Sequence, residues 1–203
     1  MDLRSLIDTH LDVPRLGKAL DEIGHGARLW SIYQWTRGDM AKVWEAAKGV
    51  RPITLDDYVP SSVGPLVEVI HHGKNSLPAH NYFQKRFAKP SEGAESLVGY
   101  NEQSWAAITG PGYFVAHPSS DAGEVDIDYT MRPKEKAAAW PSILPNQARL
   151  GRFVYAGMVD VMHGISSHVS IGRARKKHGW MDAWFVLVRE DVADAPAGGG
   201  STS

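Results

Sequence analysis

Apolar side chains recur at helical spacing through the first 49 residues. Leu16, Ala19, Leu20 and Ile23 fall three and four residues apart, which places them on one face of a helix. Asp12 stands at the N-cap position, and Pro14 falls in the first turn, where a missing N–H costs nothing. Gly24 marks the stop. A second helix is expected over about 26–36, through Leu29, Trp30, Ile32 and Tyr33. Gly38 and Asp39 read as a break and a cap before a third helix. There Met40, Val43, Trp44 and Ala47 follow the i, i+3, i+4, i+7 pattern, and Gly49 ends the run. Leu3, Leu6 and Ile7 predict a further short helix at the start.

The period changes near Gly49. After Pro52, prolines at 60, 65, 78, 90, 111, 118, 133, 141 and 145 cut the chain into pieces too short for long helices. The pieces read as strands. Residues 66–72 (LVEVIHH) are rich in β-branched side chains, and 125–130 (VDIDYT) alternate strictly. Residues 113–116 follow a Gly-Pro-Gly turn. Residues 168–174 and 184–190 read as a hairpin with a long basic loop, and 151–165 fit a strand better than a helix. Strands this close together, with no room for crossover helices, imply antiparallel pairing. The expected fold class is α+β: a helical subdomain over 1–49, packed on a curled or closed antiparallel β-barrel over 50–191. A disordered tail is expected over 192–203, where Gly, Ser and Thr have almost nothing to bury.

Composition narrows the function classes. The chain has 203 residues, no cysteine and a net charge of −1. Thiolate metal sites, cysteine nucleophiles and disulfides are excluded. No apolar run reaches the roughly 20 residues of a membrane helix, and the N-terminus has no secretory apolar core. The expectation is a soluble, cytoplasmic protein. Neither a P-loop nor a dinucleotide fingerprint is present, and HExxH, GxSxG and EF-hand motifs are also missing. Nucleic acid is disfavoured as a partner, because the chain is not basic and the helices carry few cations. Composition specifies neither a cofactor nor an oligomeric state.

Candidate chemistry is spread along the β region. His71, His72, Asp126 and Asp128 are acid–base candidates. The two aspartates share one strand face about 7 Å apart, although the same alternation also describes an outward, solvated face. Arg173, Arg175, Lys176 and Lys177 are candidates for an anionic partner, with Lys85 and Arg86 repeating the basic theme. A metal site is not expected. The least unsuitable ligand set is Asp160, His163 and His168. Aromatic residues are plentiful, with seven Trp, seven Tyr and five Phe. Barrel strands carrying them can enclose an apolar cavity with a few polar groups for orientation. The first functional expectation is therefore a small hydrophobic or amphipathic ligand, bound by Lys74, Asn75, Trp105, Tyr113, Tyr129 and Tyr155. The alternatives are a cavity-type cyclase, isomerase or hydrolase, and an interaction module for an anionic partner.

Overall fold

The computed structural model describes residues 3–8, 10–77, 81–93, 95–102, 112–143, 157–177 and 179–192. Four short helices come first: α1 (Ser5–Asp8), α2 (Val13–Asp21), α3 (His25–Tyr33) and α4 (Arg37–Ala47). Eight strands follow: β1 (Val69–Asn75), β2 (Tyr82–Ala88), β3 (Leu97–Glu102), β4 (Tyr113–Pro118), β5 (Val125–Asp128), β6 (Met158–Gly164), β7 (Val169–Lys176) and β8 (Gly179–Arg189). Each strand pairs antiparallel with its neighbour in sequence. β8 returns to β1 and closes the barrel, so no edge is left unpaired. The fold is α+β, as the change of period implied.

The helices start and stop for local reasons. Asp12 accepts a hydrogen bond from the Arg15 N–H at 3.0 Å and caps α2. Gly38 and Asp39 do not form a break. Thr36 is the N-cap of α4, and Asp39 sits in its first turn. Thr36 Oγ1 accepts from the Asp39 N–H at 3.2 Å, while Asp39 accepts from the Thr36 N–H at 2.7 Å. This reciprocal pair lengthens the helix by one turn at its start.

The strand boundaries shift for tertiary reasons. Residues 73–75 carry β1 past the expected strand end at His72, because Gly73 lies opposite Phe83 in the β1–β2 register. The basic stretch expected in a long hairpin loop belongs to β7, which turns tightly into β8. Neither β2 nor β3 was singled out as a strand. Of the ambiguous segment 151–165, residues 158–164 form β6, and 151–156 lie outside the described residues.

Two buried layers share the barrel wall. Ile171, Trp184, Val186 and Val188 face outward and pack against Leu16, Leu20, Ile32, Met40 and Val43 of the helices. The helices thus cover one side of the barrel and do not plug it. Phe87, Phe114, Ile127, Met162, Phe185 and Leu187 face inward. One end of the interior is stoppered by residues 53–63, which contribute Ile53, Tyr58, Val59 and Val63 to the inner layer. A third, smaller cluster packs Trp140 and Ala137 on the outer face of β3 and β4.

Candidate functional site

Polar groups converge inside the barrel, about halfway along β2. Phe83, Lys85 and Phe87 alternate with the outward Tyr82, Gln84 and Arg86, so the Lys85 side chain enters the apolar interior. Its ammonium donates to Asn101 Oδ1 at 3.0 Å, to Asp160 Oδ2 at 3.1 Å and to the Tyr129 hydroxyl. Asn101 Nδ2 donates to the same hydroxyl at 2.9 Å, and the hydroxyl stands 3.2 Å from Asp160 Oδ2. The four residues come from β2, β3, the end of β5 and β6, and all are buried.

An aromatic shell surrounds the ammonium. The ring centroids of Tyr129, Phe185, Phe114 and Phe83 lie 4.9, 5.1, 5.2 and 5.7 Å from Lys85 Nζ. Each phenylalanine lies against a glycine directly across the ladder: Phe83 opposite Gly73, Phe114 opposite Gly99, Phe185 opposite Gly172. A Cβ at any of these glycines would overlap the ring. At Gly99 it would also come within 2.5 Å of the Arg86 carbonyl oxygen. The glycines let the rings lie against the wall and leave the centre to the polar cluster.

Burial pushes the Lys85 amine below its usual range, and the Asp160 carboxylate opposes part of that shift. Each desolvated charge costs several kcal/mol, and a well-packed apolar pair of similar volume is commonly as stable or more so. Stability is therefore a poor reason for a buried Lys85–Asp160 pair. Away from the stopper, Phe83 and Met181 are only partly buried, and they join the inner layer together with Met158. Flexible methionines adapt to irregular space.

The remaining candidates do not gather into one site. His71 faces inward toward the stopper. It stacks on Tyr58, its Nε2 lies 2.9 Å from the Tyr58 carbonyl, and burial lowers its pKa to about 3. His72 faces outward and meets Glu190 at 2.7 Å. Asp126 and Asp128 point out of the barrel, Asp126 3.8 Å from Arg175 and Asp128 4.0 Å from His117. The four acid–base candidates thus lie on opposite sides of the wall and share no cleft.

Lys74 donates outward to the Tyr33 carbonyl, and Asn75 accepts from the Leu77 N–H at 2.9 Å. Tyr113 packs outside the barrel against Trp140. Of the expected ligand contacts among the described residues, only Tyr129 reaches the interior cluster. Trp105 and Tyr155 lie outside the described residues.

The least unsuitable metal set is divided as well. Asp160 joins Lys85 inside. His163 stacks on Trp44 outside, with Glu124 at 3.1 Å, and His168 lies beside Asp21 and Asp191. Arg173 and Arg175 lie on the outer face of β7, where Arg173 stacks on Trp184 and Trp180. They border a groove of about 130 Å³ whose charge is mixed, because Glu45, Asp121 and Glu124 line it too. Lys176 ends β7 and Lys177 lies in the turn that follows. Lys85 and Arg86, expected to extend a basic face, do not: Lys85 is interior, and Arg86 pairs with Glu68 at 2.7 Å on the far wall.

Lys85 and Asn101 were not singled out from the sequence as interior groups. The signal was alternation. Lys85 is flanked two residues away by Phe83 and Phe87, and Asp160 by Met158 and Met162. Each polar residue therefore shares its strand face with two apolar ones.

No family model matches the chain, and no curated protein does. Among solved structures, a crystal structure of a surface lipoprotein is similar over 70% of this chain at 7% identity, with a TM-score of 0.31. This chain spans 66% of that protein's length. A score of that size is below the likeness of a shared fold. No helix among the described residues is long and apolar enough to cross a membrane.

Proposed function

We propose that the protein binds a small amphipathic molecule inside the barrel. The apolar body lies among Phe83, Phe185, Met158 and Met181, and an oxygen of its polar end takes the place of the Asn101 amide oxygen as an acceptor for the three-donor Lys85 ammonium. The observation that carries this reading is the Lys85–Asp160 pair, held in an aromatic interior where packing alone gives little reason for a charge. Entry is from the end opposite residues 53–63, where Phe83 and Met181 keep some exposure. A ligand seated there gains about 25 cal/mol per Å² of apolar surface buried, less the cost of ordering it.

The test is native mass spectrometry of the full chain, freshly purified and then exposed to a lipid and metabolite extract. The wild type is expected to retain one small molecule. The double variant Lys85→Met/Asp160→Leu is expected to lose it while keeping its urea midpoint, since both charges leave together. A wild type that stays free of ligand in the extract, or a double variant that retains the same molecule, overturns the reading.

A further inference from the structure

Outside the barrel, three residues from three separate elements bring ligand atoms together. His25 is the first residue of α3, His72 is on the outer face of β1, and Glu190 follows β8. One ligand atom from each lies within 4.8 Å of the other two. We propose that His25, His72 and Glu190 form a three-ligand site for a divalent transition-metal ion of the zinc type, with a fourth position open to solvent. The site is separate from the Lys85 cluster and independent of the ligand reading.

The backbone sets two of the ligands. His72 lies opposite Val188 in the β1–β8 register, and Glu190, two residues further on, falls on the same outward face. The Glu190 N–H donates to the Ile70 carbonyl at 2.9 Å, which extends the ladder to this point. His25 is set by Arg28, one turn along α3. The Arg28 guanidinium is buried and donates to the carbonyls of Leu20 and Ile23 at 3.0 and 2.9 Å and to Asp191 at 2.9 Å. The start of α3 is thereby tied to the residue after Glu190.

The donors suit the ion. Two imidazoles and a carboxylate form a three-ligand zinc set, in which water or a substrate takes the fourth position. The His25 Nδ1 is enclosed and has no hydrogen-bond partner, which is costly for a buried polar atom. Its ring centroid lies 5.5 Å from that of His72. Ligand atoms around tetrahedral zinc stand about 3.4 Å apart, given bonds of about 2.0–2.1 Å. The 2.7 Å His72–Glu190 contact must therefore open slightly, and His25 must close in by about 1 Å or a little more. Glu190 is 41% exposed at its side chain and His72 21%, so both can adjust.

The experiment titrates the chelator-treated full chain with Zn²⁺ and, separately, Co²⁺. One equivalent is expected to bind, and Co²⁺ is expected to show the visible bands of a low-coordinate site. Free Zn²⁺ at about 100 times its Kd is expected to raise the melting midpoint by roughly 5–10 °C. His25→Gln, His72→Gln and Glu190→Gln should each weaken Zn²⁺ binding by more than about tenfold, with metal-free midpoints close to that of the wild type. His117→Gln, at a histidine remote from the three, should change nothing. Zn²⁺ binding weaker than about 1 mM, or unchanged in any one of the three ligand variants, overturns the proposal.

Discussion

Along β8, Trp184, Val186 and Val188 meet the helices, while Phe185 and Leu187 meet the barrel interior. The two sides of this one strand lead to unlike cores. The outer core is mainly apolar, and it buries Asp39 and Arg28 against the partly exposed Arg4 and Asp191. The inner core places an ammonium and a carboxylate at its centre and surrounds them with rings. The outer core leaves one partner of each of these two pairs in contact with water. The inner one accepts a desolvation cost that burial does not require. The difference teaches where the barrel's specific chemistry lies, because a group kept despite its cost is held for something other than packing.

Breaking the inner pair on one side gives the largest expected effect. Asp160→Leu leaves Lys85 buried and unpaired, and stability at pH 7 should fall by about 3–5 kcal/mol in urea unfolding. Lys85 already has a depressed pKa in the folded state. An amine depressed by folding has a native state that is penalised below the folded pKa and relieved as pH rises toward the unfolded value of about 10.5. The loss in the variant should therefore shrink between pH 7 and pH 10. An equal loss at both values would mean that Lys85 is not the charge left stranded.

In the outer core a large but pH-independent loss is expected. Leu20 is fully buried between α2 and the barrel wall. Leu20→Ala should cost about 2–5 kcal/mol, read by tryptophan fluorescence during urea unfolding. A cost under about 1 kcal/mol would mean that the helices are only loosely attached. The smallest effect belongs to the Arg4–Asp39 pair. Asp39 is partly desolvated, which by itself would raise its pKa, but the Thr36 N–H and hydroxyl together with Arg4 hold it below 3.8. Asp39→Asn should cost about 1 kcal/mol at neutral pH. A carboxyl depressed by folding contributes fully above its unfolded pKa and loses that contribution as pH falls through the folded one. Wild type and variant should therefore draw together as pH falls below 3.8 and through the folded pKa, and a difference that stays constant over that fall would assign the effect to packing.

Local order was written in the chain. The 3.6-residue period located α1 to α4, because each helix buries one face whatever its partner. The densely spaced prolines and the alternation of 125–130 announced strands, and Val125, Ile127 and Tyr129 do face inward. Only the tertiary structure decided which strands close on each other and which side chains then meet. Lys85 and Asp160 stand 75 residues apart on strands that are not neighbours, and no spacing along the chain links them. Nothing along the chain marks why Gly73, Gly99 and Gly172 must lack a side chain until the register sets a phenylalanine across from each. His25, His72 and Glu190 meet only because α3 lies beside the seam where β1 and β8 join. Hydrophobic periodicity is a property of neighbours within one element. Register and closure depend on contacts between elements, and these form only when the whole barrel does.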